Sequence, residues 1–182
     1  TANFFGEADA LNMFSDLGIH ANKSIIVSNQ DDLLTLSKTL SFPVVLKTAV
    51  DNVLHKSELN AVYLGIESQE HLLESYQELQ KNLPGDALLA SMIESNGIEM
   101  ILGMTTDQQL GPMITIGFGG YYAEALKDAV TLMPPFTAET AKKAIKSLRM
   151  KSLLDGYRGT DPVDINAFAQ MASVFSLIAI EF

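Results

Sequence analysis

Cysteine is absent from the 182 residues. That excludes thiolate catalysis, disulfides and Cys-based zinc sites together, and it suits a reducing compartment, so the cytoplasm is the expected location. Positive charge is scarce: 12 Lys and Arg stand against 22 Asp and Glu, a formal net charge of −10. Such a surface repels phosphate backbones and anionic lipid. The nearest approach to a basic patch, Lys142, Lys143 and Lys146, is diluted by apolar neighbours. Neither nucleic acid nor a membrane surface is therefore an expected partner. Long apolar runs are missing as well, since the stretches 112–118 and 175–180 fall far short of the roughly 20 residues that span a bilayer. The opening TANFFGEADALNMF has no basic segment followed by a continuous apolar one and does not read as a signal peptide. No repeat, low-complexity tract or Ser/Gly linker interrupts the chain.

What the chain does have is 47% hydrophobic residues with only 19% charged, enough to build one or two cores. Ala10, Met13, Phe14 and Leu17 recur at helical spacing before Gly18, predicting a helix over 7–17. A β-branched run at 24–28 precedes a helix carrying Leu33, Leu36 and Leu40 behind Asp31 and Asp32. FPVVLKT at 42–48 reads as a buried strand with Pro43 at its start and Lys47 near its end. The polar stretch 51–60 is a long loop before a strand at 61–66, and Leu72, Leu73, Tyr76 and Leu79 mark a helix over 68–81. Three runs, 87–93, 98–104 and 112–118, follow with turn-like separators and predict consecutive antiparallel strands. Residues 121–133 fit no single period. Thr137 caps a helix carrying Ala141, Ile145 and Leu148, and the last helix is expected with Asp161 as its cap and Pro162 in its first turn. This order gives an α+β class with two subdomains, 1–85 and 86–182, the second built on an antiparallel sheet from 87–118.

Several residues are candidates for chemistry. Lys47, at the end of an apolar strand, must either snorkel to water or meet an anion. His55, Lys56 and Ser57 offer an imidazole, a cation and a hydroxyl in one loop, a set that suits a phosphoryl group; a solvated loop is the plainer alternative. Glu99 is an acid in the apolar segment GIEMILGM, placed by alternation on the face of Ile101 and Gly103. It serves either a hydroxyl-bearing or metal-bearing ligand or a cross-strand ion pair. GFGG at 117–120 leaves a strand as backbone-amide anion sites do, without the full dinucleotide spacing. Glu124 and Asp128 would share a helix face, and DGYRG at 155–159 forms a turn cluster.

In order, FPVVLKT, LHKSE, EMILGMTTDQQLGPMITIGFGG, EALKD, a Pro-Pro-Phe turn, LLDGYRG and PVD resemble the ATP-grasp domain of ADP-forming acyl-CoA (acetyl-CoA) synthetases, related to the succinyl-CoA ligase β subunit. The resemblance covers most of the chain. It implies an ATP-grasp-like fold with nucleotide held between two α+β subdomains. The activity implied is that of an ADP-forming acid–CoA ligase, with this chain part of a larger enzyme. Phosphoryl transfer from ATP would pass through a phosphohistidine to an acyl phosphate and then yield acyl-CoA. ATP and ADP, Mg2+, and the CoA-binding domains or subunit of the same synthetase are the implied cofactors and partners. Carried onto this sequence, Lys47, Lys56 and Ser57 meet the phosphates, Ile93 and Glu94 line the adenine hinge through backbone groups, Glu99 lies near the ribose, and His55 is a catalytic phosphate relay in addition to the main phosphohistidine, which in such enzymes belongs to another domain or subunit. No metal ligand is assigned, because the segment that presents the acid and Asn-Pro for magnesium in this family is expected beyond IAIEF. Relatives continue from HKS to Gly-Gly-Val, whereas this chain has Asn60-Ala61-Val62; Ser91 and Thr131 replace a hinge glutamate and an arginine. These departures keep open a second reading, a degenerate non-catalytic ATP-grasp module with an interaction or regulatory role.

Overall fold

The computed structural model describes residues 6–50, 61–93, 97–120, 123–157 and 159–181. Its contacts divide the chain into two compact units, Thr1–Ile93 and Glu94–Phe182.

In the first unit the order is α1 (Glu7–Asp16), β1 (Ser24–Val27), α2 (Gln30–Ser37), β2 (Val44–Thr48), β3 (Val62–Ile66), α3 (Gln69–Asn82) and β4 (Ala87–Ser91). The strands form one antiparallel sheet in the order β1-β4-β2-β3. Helices α2 and α3 start where side chains take up orphan N–H groups: Asn29 accepts from Asp32 at α2, and Ser68 accepts from His71 at α3. Helix α1 ends at Gly18, whose φ of +83° suits a residue without a Cβ. The apolar stripe of α3, Leu72, Tyr76 and Leu79, lies over Val44, Leu46 and Ile66 of the sheet, with Leu33 of α2 completing the core.

One expectation is corrected here. The run beginning at Ala87 does not open the second sheet, because β4 is hydrogen-bonded between β1 and β2, with Ala87 opposite Val27 and Thr48. Ala87, Leu88 and Leu89 are all buried, as a central strand covered on both faces requires. The division accordingly falls after Ile93 instead of at 85/86. A sequence pattern shows that a strand exists but not which edge it joins.

The second unit runs β5 (Met100–Asp107), β6 (Gly111–Phe118), α4 (Ala123–Leu126), β7 (Ala129–Leu132), α5 (Ala138–Ser147), a 3-10 turn (Lys151–Leu153) and α6 (Ile165–Glu181). Its sheet is the antiparallel meander β5-β6-β7. Asp107 closes the β5–β6 hairpin by accepting from the N–H groups of Gln109 and Leu110, which hold its carboxyl below the ordinary carboxylate range. Ile114, Ile116 and Phe118 of β6 pack against Ala141 and Ile145 of α5 and Ala169, Ala172 and Ala179 of α6. Ser176, fully buried in α6, is satisfied by the loop before α5 and by its own helix: it accepts from Phe136 N–H at 3.1 Å and donates to Ser173 O at 2.7 Å. Thr137 caps α5 as expected. The cap of α6 is Asp164, which accepts from Ala167 N–H at 2.9 Å, so the helix starts later than Asp161 and Pro162 suggested.

Candidate functional site

On β2, Val44, Leu46 and Thr48 are buried, and alternation sends Val45 and Lys47 to the other face. Lys47 keeps its aliphatic stem largely covered, with 24% of its side chain exposed, and its ammonium forms an ion pair with Glu7 in the first turn of α1. Of the two fates open to a lysine at a strand end, this one is the anion, supplied by the chain itself. No sequence signal named Glu7, because the pairing joins elements 40 residues apart.

Ile93 follows β4 with 66% of its surface exposed. The backbone there is held in register, since Met92 N–H donates to Pro43 O at 3.0 Å and Ser91 O accepts from Asn22 Nδ2 at 2.9 Å. His55, Lys56, Ser57 and Glu94 lie outside the described residues.

In the second unit Glu99 stands one residue before β5, not within it, and is exposed. Its carbonyl accepts from Gly119 N–H at 2.8 Å, carrying the β5–β6 pairing one step past Met100 and Phe118. This brings the glutamate onto the glycine run. Gly120 has a φ of +69°, and a Cβ there would lie 2.7 Å from Oε2 of Glu99. The carboxylate thus occupies the space a side chain at 120 would need. GFGG therefore does not present a bare amide cradle for an anion at this point; its last glycine faces a negative charge. Gly117 has a separate reason to be glycine, the close approach of Asp128 O and Ala129 on β7.

Beside Glu99 opens a pocket of about 280 Å³ lined by Gly97, Ile98, Phe118, Gly119, Gly120, Leu126 and Leu153. Its walls are apolar and its rim carries the Glu99 carboxylate. An acceptor-only group at the edge of an apolar slot suits a flat apolar ring attached to hydroxyl donors. A neighbouring pocket of about 300 Å³ is lined by Met100, Ile145, Phe168 and Met171 among others.

Asp128 is where the pairing of acids with Glu124 fails. It lies beyond α4, is 6% exposed, and accepts from the N–H groups of Arg149 at 3.0 Å and Met150 at 2.8 Å. Burial alone would raise its pKa. The two N–H groups and the Arg149 guanidinium outweigh that and hold the carboxyl below the usual range.

Among the described residues no group of three His, Asp or Glu gathers as a metal site, and no helix is long and apolar enough to cross a membrane.

The family model described as the ATP-grasp domain matches residues 2–182. The chain is 30% identical over 181 residues to acetate–CoA ligase [ADP-forming] I of Archaeoglobus fulgidus, covering 96% of this chain but 26% of that protein. It is 32% identical over 173 residues to the β subunit of acetate–CoA ligase [ADP-forming] II of Pyrococcus furiosus, covering 91% of this chain and 73% of the subunit. It thus spans about a quarter of the first relative and about three quarters of the second. Among solved structures, acetyl-coenzyme A synthetase 1 of Ca. Korarchaeum cryptofilum, in complex with coenzyme A and Ca-AMPCP, matches with a TM-score of 0.90 at 28% identity, over 98% of this chain and 81% of that one. The same synthetase has been solved with Mg-AMPPCP and a phosphohistidine segment pointing towards the nucleotide binding site. With a sheet-and-helix architecture in each unit and a family match along residues 2–182, the chain belongs to the ATP-grasp domain family, in the branch of the ADP-forming acetate–CoA ligases.

Proposed function

We propose that this chain is the ATP-grasp nucleotide-binding portion of an ADP-forming acid–CoA ligase. The γ-phosphoryl group leaves ADP as its P–O bond breaks and a P–N bond forms on a histidine. Transfer to a carboxylate gives an acyl phosphate, and the thiol of coenzyme A then displaces phosphate to give acyl-CoA. The observation that carries the reading is the Glu99 carboxylate at the rim of an apolar pocket, in a domain matched along its length to a synthetase solved with coenzyme A and Ca-AMPCP.

In this reading the Glu99 carboxylate accepts from the ribose hydroxyls, and the adenine ring enters the slot walled by Ile98, Phe118, Leu126 and Leu153. The backbone around Ile93 and Glu94 contributes the hinge. Lys47, with Lys56 and Ser57, neutralises the phosphates, and His55 relays the phosphoryl group. Magnesium, when bound, would offset phosphate charge; among the described residues no cluster of three acidic or imidazole side chains gathers to hold it. The CoA-binding parts of the synthetase are its partners, and the cytoplasm, which supplies both ATP and coenzyme A, is its proposed compartment. The likeness to ligases supports this reading over a non-catalytic module.

Two measurements test it. Calorimetry of ATP against this chain should give a saturable heat that ADP competes away and that Glu99→Ala diminishes. Acyl-CoA formation by the parent synthetase should be lost in His55→Ala without loss of this domain's thermal stability. No ATP binding up to about 10 mM, weaker than any useful affinity, or turnover of His55→Ala within a few-fold of wild type, would contradict the assignment.

A further inference from the structure

We propose that Asp128 and Arg149 are positioning residues that set the width of the Glu99 pocket, and so the affinity for the adenosine part of the nucleotide. This rests on the assignment of that pocket to the nucleoside.

Two of the pocket's apolar walls, Leu126 and Leu153, come from elements with little hold of their own. Leu126 ends the single turn of α4, and Leu153 ends a single 3-10 turn. One-turn helices are unstable unless other contacts fix them. The contacts that do so converge on Asp128. Its two oxygens separately accept from Arg149 N–H at 3.0 Å and Met150 N–H at 2.8 Å, immediately before the 3-10 turn. The Arg149 guanidinium reaches back to donate to the carbonyl of Leu126 and, at 3.4 Å, to that of Lys127. Lys127 adopts a φ of +44°, reversing the chain between α4 and β7. The ring closes on β6, where Phe118, a third wall, donates its N–H to Asp128 O at 3.1 Å.

Two walls, Leu126 and Leu153, are thereby tied through Arg149 and Met150 to one buried carboxylate outside the pocket lining, and the third, Phe118, to the main-chain carbonyl of the same residue. Arg149 leaves 70% of its side chain exposed, so direct Coulomb attraction to Asp128 counts for little. Its use lies in the planar guanidinium, whose Nη2 donates to both carbonyls while Nε faces Asp128 Oδ1 at 3.5 Å. Asparagine at 128 would keep one acceptor but turn an NH2 toward an N–H donor. Lysine at 149 would keep the charge but, with a single nitrogen, could not face Asp128 and the two carbonyls at once.

The test compares three probes on the full chain: adenosine, inorganic tripolyphosphate and ATP. Asp128→Asn and Arg149→Lys are measured beside wild type, with a thermal melt of each. Adenosine and ATP should bind about tenfold more weakly to both variants, about 1.4 kcal/mol, while tripolyphosphate affinity changes less than about twofold. A merely structural role would weaken all three probes together or none, and either result overturns the proposal. Should Asp128→Asn fail to fold, Arg149→Lys, which leaves the carboxylate and its N–H partners in place, decides alone. Wild-type protein that binds tripolyphosphate but neither adenosine nor ATP overturns the nucleoside assignment and the proposal with it. Unchanged adenosine affinity in variants of a protein that binds it overturns only the positioning role.

Discussion

Glu7 and Lys47, 40 residues apart, form an ion pair between the first turn of α1 and the end of β2. A lysine assigned to nucleotide phosphates thus already has a carboxylate partner, and a phosphate must take that partner's place. Glu7→Gln should raise ATP affinity by up to about fivefold, the upper range of a part-exposed pair. Lys47→Ala should lower it by about tenfold or more, the loss of charge-assisted hydrogen bonds. Calorimetry checks both, and weaker binding by Glu7→Gln would show that Glu7 orients the lysine instead of competing for it.

Gly120→Ala adds a Cβ where φ is +69° and where the Glu99 carboxylate already lies, 2.7 Å away. The backbone cost is about 1–2 kcal/mol, and the carboxylate must also move off its seat. Chemical denaturation should show that loss, and ATP titration should show weaker binding than the stability change alone predicts. A variant as stable as wild type with unchanged ATP affinity would contradict the seating of Glu99 on this glycine.

Asp128 makes stability depend on acid. Its carboxyl has a folded pKa depressed below the ordinary 3.8, so it binds its proton less readily folded than unfolded. The resulting stabilisation is fully present above the unfolded value and is lost as pH falls through the folded one. Asp128→Asn should cost about 2 kcal/mol at neutral pH through its mismatched donor. The gap between wild type and variant should narrow below about pH 4. Urea melts at pH 7 and pH 3 measure it; a gap that widens in acid would reverse the sign.

Ser68 holds the start of α3, accepting from His71 N–H at 3.1 Å. Ser68→Ala should destabilise the first unit by about 1 kcal/mol without altering nucleotide affinity. Hydrogen exchange in the first turn of α3 should quicken, and an unchanged exchange rate there would speak against the cap.

Most elements were legible because their signals are local. The stripe Leu72, Tyr76 and Leu79, the cap at Thr137 and the glycine after α1 each depend on residues within one or two turns. The site was legible in part for the same reason. Lys47 at the end of an apolar strand and Glu99 amid apolar neighbours stand out by residue type alone, and the colinear motifs named the family. The segment 121–133, by contrast, gave no single period because a one-turn helix and a short strand, α4 and β7, share it.

The sequence by itself determined the class of most segments and singled out several chemistry-bearing residues, since periodicity and side-chain type are properties of the chain before it folds. Only the tertiary structure decided which strand neighbours which and which charge meets which. It put β4 inside the first sheet, gave Lys47 its partner in Glu7, and turned Asp128 from an acid expected on a helix face with Glu124 into a buried acceptor for two N–H groups. Each of these joins residues 20 or more positions apart along the chain, by hydrogen bonds and ion pairs that form only when the cores bring the segments together. Local patterns carry no record of such pairings, because the same short segment is equally well formed whichever neighbour it is given.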